Sequence, residues 1–167
     1  MSAKRLVDPE LVIEQIDLSF RALDDMERFL AERKLPDADT PTPDRVERVV
    51  VAQILDNTYT AVETALLRIS QGFDNSLSRD RWHADLLDKM ILAKKGIRPR
   101  VLSDESHRLL TELMRFRHFK RYYLELDYDW SKLRYLLSVQ RRCLPLVRRE
   151  LTAFRDEMAR GLADPEA

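Results

Sequence analysis

The stretch Val49–Leu67, VVVAQILDNTYTAVETALL, decides the fold. Asp56 and Glu63 are its only charges, and apolar or small side chains fall on every side of a helical wheel. A helix that is apolar all round needs neighbours on every face, which makes it the central helix of a bundle. Asp56, Tyr59, Thr60 and Glu63 recur at spacings of three and four and so share one face. Carboxylates on a buried helix require partners. A cationic helix is therefore expected to lie against that face.

Outward from this core, Thr42 and Pro43 signal the start of the helix and Gly72 its end, placing it from Pro43 to about Gln71. Before it, LPDADTPTP holds three prolines and cannot stay helical. It connects to an earlier helix that starts at Asp8 and Pro9 and runs to about Lys34, with Leu11, Ile16, Phe20, Leu23, Met26, Phe29 and Leu30 on its apolar side. After it, the polar segment GFDNSLSR leads to a shorter helix from Asp80 to about Ala93, carrying Trp82, His83, Leu86, Leu87, Met90 and Ile91. Gly96 and Pro99 break the chain there, and Ser103 caps the next helix. LELDYD interrupts the periodicity before a last helix from Trp130 to about Arg160, which Pro145 is expected to kink. The reading is all-α, with about five helices in an up-and-down bundle.

The bulk numbers agree. The chain has 167 residues, enough for one domain spanning 1–167 with a real core, with flexible ends expected at 1–7 and 161–167. Hydrophobic residues are 44% and charged residues 35%, with three glycines, a balance suited to amphipathic helices and poor for turn-rich sheets. Lys plus Arg and Asp plus Glu stand at 29 each, so no global field recruits nucleic acid or an anionic membrane. Cys143 is the only cysteine, which excludes an intramolecular disulfide and suits a reducing compartment. With no secretion signal in MSAKRLVDPE and no apolar run long enough to span a bilayer, a cytoplasmic location without membrane contact is expected.

Chemistry concentrates in Leu109–Asp129, LLTELMRFRHFKRYYLELDYD. Arg115, Arg117, His118, Lys120 and Arg121 are interleaved there with Phe116, Phe119, Tyr122 and Tyr123, and no acid separates Glu112 from Glu125. Such a run repels itself unless an anion or a buried carboxylate lies opposite. Two readings stay open. In one, Arg117, His118 and Arg121 form an ion-pair network with Asp56 and Glu63 that holds two helices in register. In the other, the guanidinium groups grip a phosphodiester and an imidazole moves a proton, which suffices for metal-free RNA cleavage because the ribose hydroxyl is the nucleophile. Tyr122 would line the same cleft, and His83 is either satisfied by a carboxylate or acts beside the cationic helix. His83, His107 and His118 lack metal-ligand spacing, and there is no glycine-rich phosphate loop, so neither metal nor cofactor is expected. Cys143, among arginines and leucines, reads as an inert packed thiol.

The succession Tyr59 with Glu63, Trp82-His83 with Leu86-Leu87, Arg98-Pro99, then Phe116-Arg117-His118 and Arg121 resembles the bacterial HepT-like proteins of the HEPN superfamily over a core of residues 41–137. The resemblance implies a HEPN-type helical bundle, commonly a homodimer, encoded beside a minimal nucleotidyltransferase (MNT) in a toxin-antitoxin pair. HEPN ribonucleases share an Arg, four to six residues, then His motif, which cuts RNA at a dimer cleft, and the HepT branch adds a Tyr two past the His. Here Arg117 matches the arginine, but Tyr122 stands at the histidine position and Leu124 at the tyrosine position. The resemblance thus implies either a metal-independent endoribonuclease in which His118 replaces the missing histidine, or a non-catalytic antitoxin that neutralises its cognate nucleotidyltransferase. In the HepT branch the partner modifies the motif tyrosine with AMP, for which Tyr122 and Tyr123 are the displaced candidates.

Overall fold

The computed structural model describes residues 8–73 and 77–163 and contains five helices: α1 (Pro9–Glu32), α2 (Arg45–Phe73), α3 (Trp82–Met90), α4 (Asp104–Tyr122) and α5 (Trp130–Ala163). The apolar stretch lies within α2, which alone packs against each of the other four helices. Val51, Leu55, Tyr59, Val62, Leu66 and Ile69 are fully buried along it. Each buried side chain of this size contributes roughly 1.5–3 kcal/mol of transfer free energy, so α2 carries much of the core. The fold is an all-α helical bundle. Among the described residues there is no strand, only an isolated bridge between Lys94 and Arg98.

Local chemistry explains most boundaries. Asp8 caps α1 by accepting from the Glu10 amide at 2.9 Å, with Pro9 in the first turn. The helix stops at Glu32, just before Lys34 adopts a left-handed φ of 48°. Its buried stripe is Val12, Ile16, Ser19 and Leu23, whereas Leu11 and Phe29, expected on the apolar side, are largely exposed because they fall off that line. α2 begins two residues later than expected. Asp44 and Glu47 form a reciprocal capping box, each side chain accepting from the other's amide (2.8 and 2.9 Å). Its far end runs through buried Gly72 to Phe73, whose ring meets Phe154 of α5 edge-on.

α3 is shorter than the expected Asp80–Ala93 at both ends, and at its C-terminal end the cause is Arg98. This buried side chain folds back so that its guanidinium donates to the carbonyls of Lys89 (2.6 Å) and Leu92 (2.9 Å), while the Val101 and Leu102 amides take the Met90 carbonyl. The last turn of α3 is thereby satisfied from outside. Gly96 supports the reversal with φ 74°, a conformation that favours glycine. α4 opens as expected, with the Ser103 hydroxyl accepting from the Ser106 amide at 3.1 Å. α5 continues through Pro145 and ends at Ala163, three residues into the tail expected to be flexible. The rest of that tail, 164–167, and residues 1–7 lie outside the described residues. Among the described residues, no helix is long and apolar enough to cross a membrane.

Candidate functional site

The acids of α2 and the cations of α4 meet. Glu63, buried at 5% side-chain exposure, receives the Arg117 guanidinium on one carboxylate oxygen and His83 Nδ1 of α3 on the other. One carboxylate thus joins three helices. Asp56, two turns earlier, sits 3.5 Å from Arg117 Nε and 3.0 Å from Lys120 Nζ, and Lys120 also donates to Gln53 at 2.8 Å. Arg117 covers the face of Tyr59 at 5.9 Å. The Tyr59 hydroxyl is buried and makes no hydrogen bond of good geometry, yet it feels the carboxylate one turn on. Burial first, then Glu63, hold its phenol above the ordinary tyrosine range.

Helical phase divides the cationic run. Arg117 and Lys120 turn inward to α2, whereas His118, Arg121 and Tyr122 point outward. Arg121 has no ion pair among the described residues, and Tyr122 is 78% exposed. Arg115 pairs within its own helix with Glu112 at 3.0 Å. Tyr123 closes α4, its hydroxyl donating to the Asp127 carbonyl at 2.9 Å. Desolvation, then Glu125 and Asp127, raise its phenol.

A carboxylate only accepts, so His83 donates from Nδ1 to Glu63, a contact that fixes the orientation of its ring. Trp82 stacks on this imidazole at 3.6 Å, and the exposed His118 ring approaches it edge-on at 5.1 Å. Two histidines far apart in sequence thus become neighbours. Chemically, the cluster offers a clamped guanidinium, an oriented imidazole and a second imidazole at the surface. Among the described residues no group of three or more His, Cys, Asp or Glu is placed to hold a metal ion.

The structure therefore gathers Asp56, Glu63, His83, Arg117 and His118, and leaves Arg121, Tyr122 and Tyr123 at the periphery of that cluster. Lys120 is the member that residue-by-residue reading missed. Its signal was available, since it lies three residues past Arg117 on the same face as Asp56's partner. No curated protein and no solved structure is significantly similar to the chain. Residues 50–158, more than half of the chain and including every member of this cluster, match the family model described as HepT-like protein. The chain belongs to the HepT-like family of the HEPN superfamily.

Proposed function

We propose that this chain is the helical member of a HEPN/MNT toxin-antitoxin pair and acts by binding its cognate nucleotidyltransferase, not by cutting RNA. The observation that carries this reading is the commitment of Arg117. The one arginine matching the HEPN motif is held by Glu63 and Asp56 of its own chain, and a guanidinium so held is not available to a phosphodiester without breaking a buried pair. The motif histidine is absent as well, with exposed Tyr122 at its position and Leu124, 93% exposed, at the motif tyrosine position. Large apolar side chains this exposed suit a surface covered by a second chain, either in a cytoplasmic homodimer or in the complex with the nucleotidyltransferase.

Co-expression with the adjacently encoded nucleotidyltransferase tests this directly. The pair is expected to co-purify, and this chain is expected to relieve any growth arrest its partner causes. Purified chain is expected to leave RNA intact without metal. Cleavage that Arg117→Ala and His118→Ala each abolish would overturn the reading.

One observation favours a second reading, the metal-independent endoribonuclease. The His83 and His118 ring centroids stand 5.1 Å apart, and Arg121, one turn past His118, has no ion pair among the described residues; two imidazoles with a guanidinium are what proton transfer at a phosphodiester requires. In that case Tyr122 and Tyr123 remain the positions for nucleotide modification by the partner. The same RNA assay separates the readings.

A further inference from the structure

A half-open cleft of about 610 Å³ lies between the second half of α4, the segment 123–129 and the first turns of α5. Its walls are a connected array of rings. Phe119 stacks with Tyr123 at 4.8 Å, Tyr123 meets Tyr128 at 5.3 Å, and Phe116 meets both Phe119 and Tyr128 at 6.3 Å. Tyr135 of α5, more than half exposed, is the remaining aromatic lining residue. The face of such a ring carries the negative end of its quadrupole and attracts cations. Elsewhere the chain satisfies that attraction itself, with Arg33 over Phe29, Arg117 over Tyr59 and Arg148 over Phe20. Among the described residues no cation of the chain lies over a ring of the cleft.

The charges of the lining point the same way. Glu112, Asp127 and Asp129 set three carboxylates against Arg115 and Lys132. Arg115 is held by Glu112 at 3.0 Å and Asp127 by Arg48 at 2.9 Å, which leaves Asp129 and Lys132. These two differ in how firmly they are fixed. Asp129 is pinned as the cap of α5, its Oδ1 accepting from the Ser131 amide (2.8 Å) and hydroxyl (2.6 Å), while Oδ2 receives no hydrogen bond among the described residues. Lys132 is exposed and carries its ammonium into water on a long flexible stem. The fixed field at the rings is therefore negative. Desolvation, then Glu125 and Asp127, raise the Tyr123 phenol, which accords with that sign. Tyr128, only 7% exposed, also lines the cleft, and its hydroxyl has no hydrogen-bond partner among the described residues. An ammonium ion supplies what this lining lacks, N–H donors for the two free oxygens and positive charge for the ring faces. We propose that the cleft takes an alkylammonium group, seated against Phe119, Tyr123 and Tyr135 with Asp129 as its counter-ion. The group comes from a free amine or from a lysine side chain of a second protein. The inference stands apart from the proposed function, since it uses none of Arg117, His118, Arg121 or Tyr122.

Isothermal titration with butylammonium, its neutral counterpart butan-1-ol, and the blocked lysine Nα-acetyl-lysine amide tests it. Butylammonium is expected to bind saturably at one site, roughly ten-fold more tightly than butan-1-ol. Phe119→Ala removes a half-exposed ring and is expected to weaken ammonium binding roughly three- to ten-fold. Asp129→Asn keeps a capping oxygen for α5 but removes the counter-charge, and is expected to weaken binding. Lys132→Ala removes a like charge and is expected to tighten it. Asp25→Asn, an exposed acid of α1 outside the lining, is expected to leave it unchanged. Positions 129 and 132 are exposed, so the opposite signs of these two effects stand whatever Phe119→Ala does to folding. Tighter binding of the blocked lysine than of butylammonium identifies a protein side chain as the source, and the reverse identifies a free amine. No saturable binding of either ammonium probe, equal binding of butylammonium and butan-1-ol, or binding that Asp129→Asn leaves unchanged and Lys132→Ala weakens overturns the proposal.

Discussion

Replacing Glu63 by Gln isolates the junction on which three helices converge. The exchange keeps the shape and one acceptor oxygen but removes the charge, and its new amide hydrogens face donors. Breaking a fully buried ion pair by removing one partner costs about 3–5 kcal/mol. Two features of the structure reduce that figure. The Arg117 side chain is 31% exposed, so water recovers part of its solvation, and Asp56 still lies 3.5 Å from its Nε. His83 loses a charged acceptor but keeps its stack on Trp82. The expected loss is therefore roughly 2–3 kcal/mol, or about 5–10 °C in Tm for a chain of this length. Guanidinium unfolding followed by circular dichroism measures it, with an unchanged m value showing that the folded state is intact.

A double-mutant cycle then separates the pair from the site. Glu63→Leu alone leaves Arg117 half-orphaned and is expected to be the most damaging change. Combined with Arg117→Met it leaves no orphan charge, so the double variant is expected to be more stable than the sum of the two single effects predicts. Glu63→Gln within about 0.5 kcal/mol of the parent, or strict additivity in the cycle, would refute the reasoning. Either result would mean that Glu63 does not bind the helices together and that Arg117 is free for other work.

Three further outcomes follow from the core. Thr58→Val removes the acceptor of the buried Gln140 amide, which donates to it at 2.7 Å across the α2–α5 contact, and is expected to cost about 1–3 kcal/mol in the same unfolding assay. Burial, then Glu150, push the Cys143 thiol up to about 12, so Ellman's reagent is expected to label it only on unfolding. Because the native thiol stays protonated while the unfolded one ionises near 8.5, its contribution is complete below that pH and falls as pH rises towards 12, a slope that Cys143→Ala is expected to remove. Pro145→Ala restores a donor inside α5, at an exposed position, and is expected to raise stability by about 1 kcal/mol, with no gain in Tm counting against it.

The legible parts of this chain are those specified locally. The centrality of α2 follows from its scarcity of charge, and Asp8-Pro9 and Ser103 announce helix starts through side chains that satisfy amides two or three residues away. What was not legible depends on groups that arrive from elsewhere. The end of α3 is set by Arg98 reaching back to two carbonyls, a contact that hydrophobic periodicity does not encode. At the start of α2 the Thr42-Pro43 signal masked the Asp44–Glu47 box, because both patterns are valid starts two residues apart.

The candidate site divides along the same line. That Glu63 and Asp56 need cations follows from their burial, and the cationic helix was the one segment able to supply them. That His83 would share Glu63 and meet His118 required the packing of α3 against both α2 and α4. The unbroken cationic run suggested positive charge too dense to be neutralised from within. Helical phase resolves it: residues 117 and 120 turn toward acids and residues 118 and 121 away from them. The inward half holds the bundle together. The outward half, beside an exposed tyrosine and leucine, carries no acidic partner among the described residues, and it is there that a second chain has charge and apolar surface left to meet.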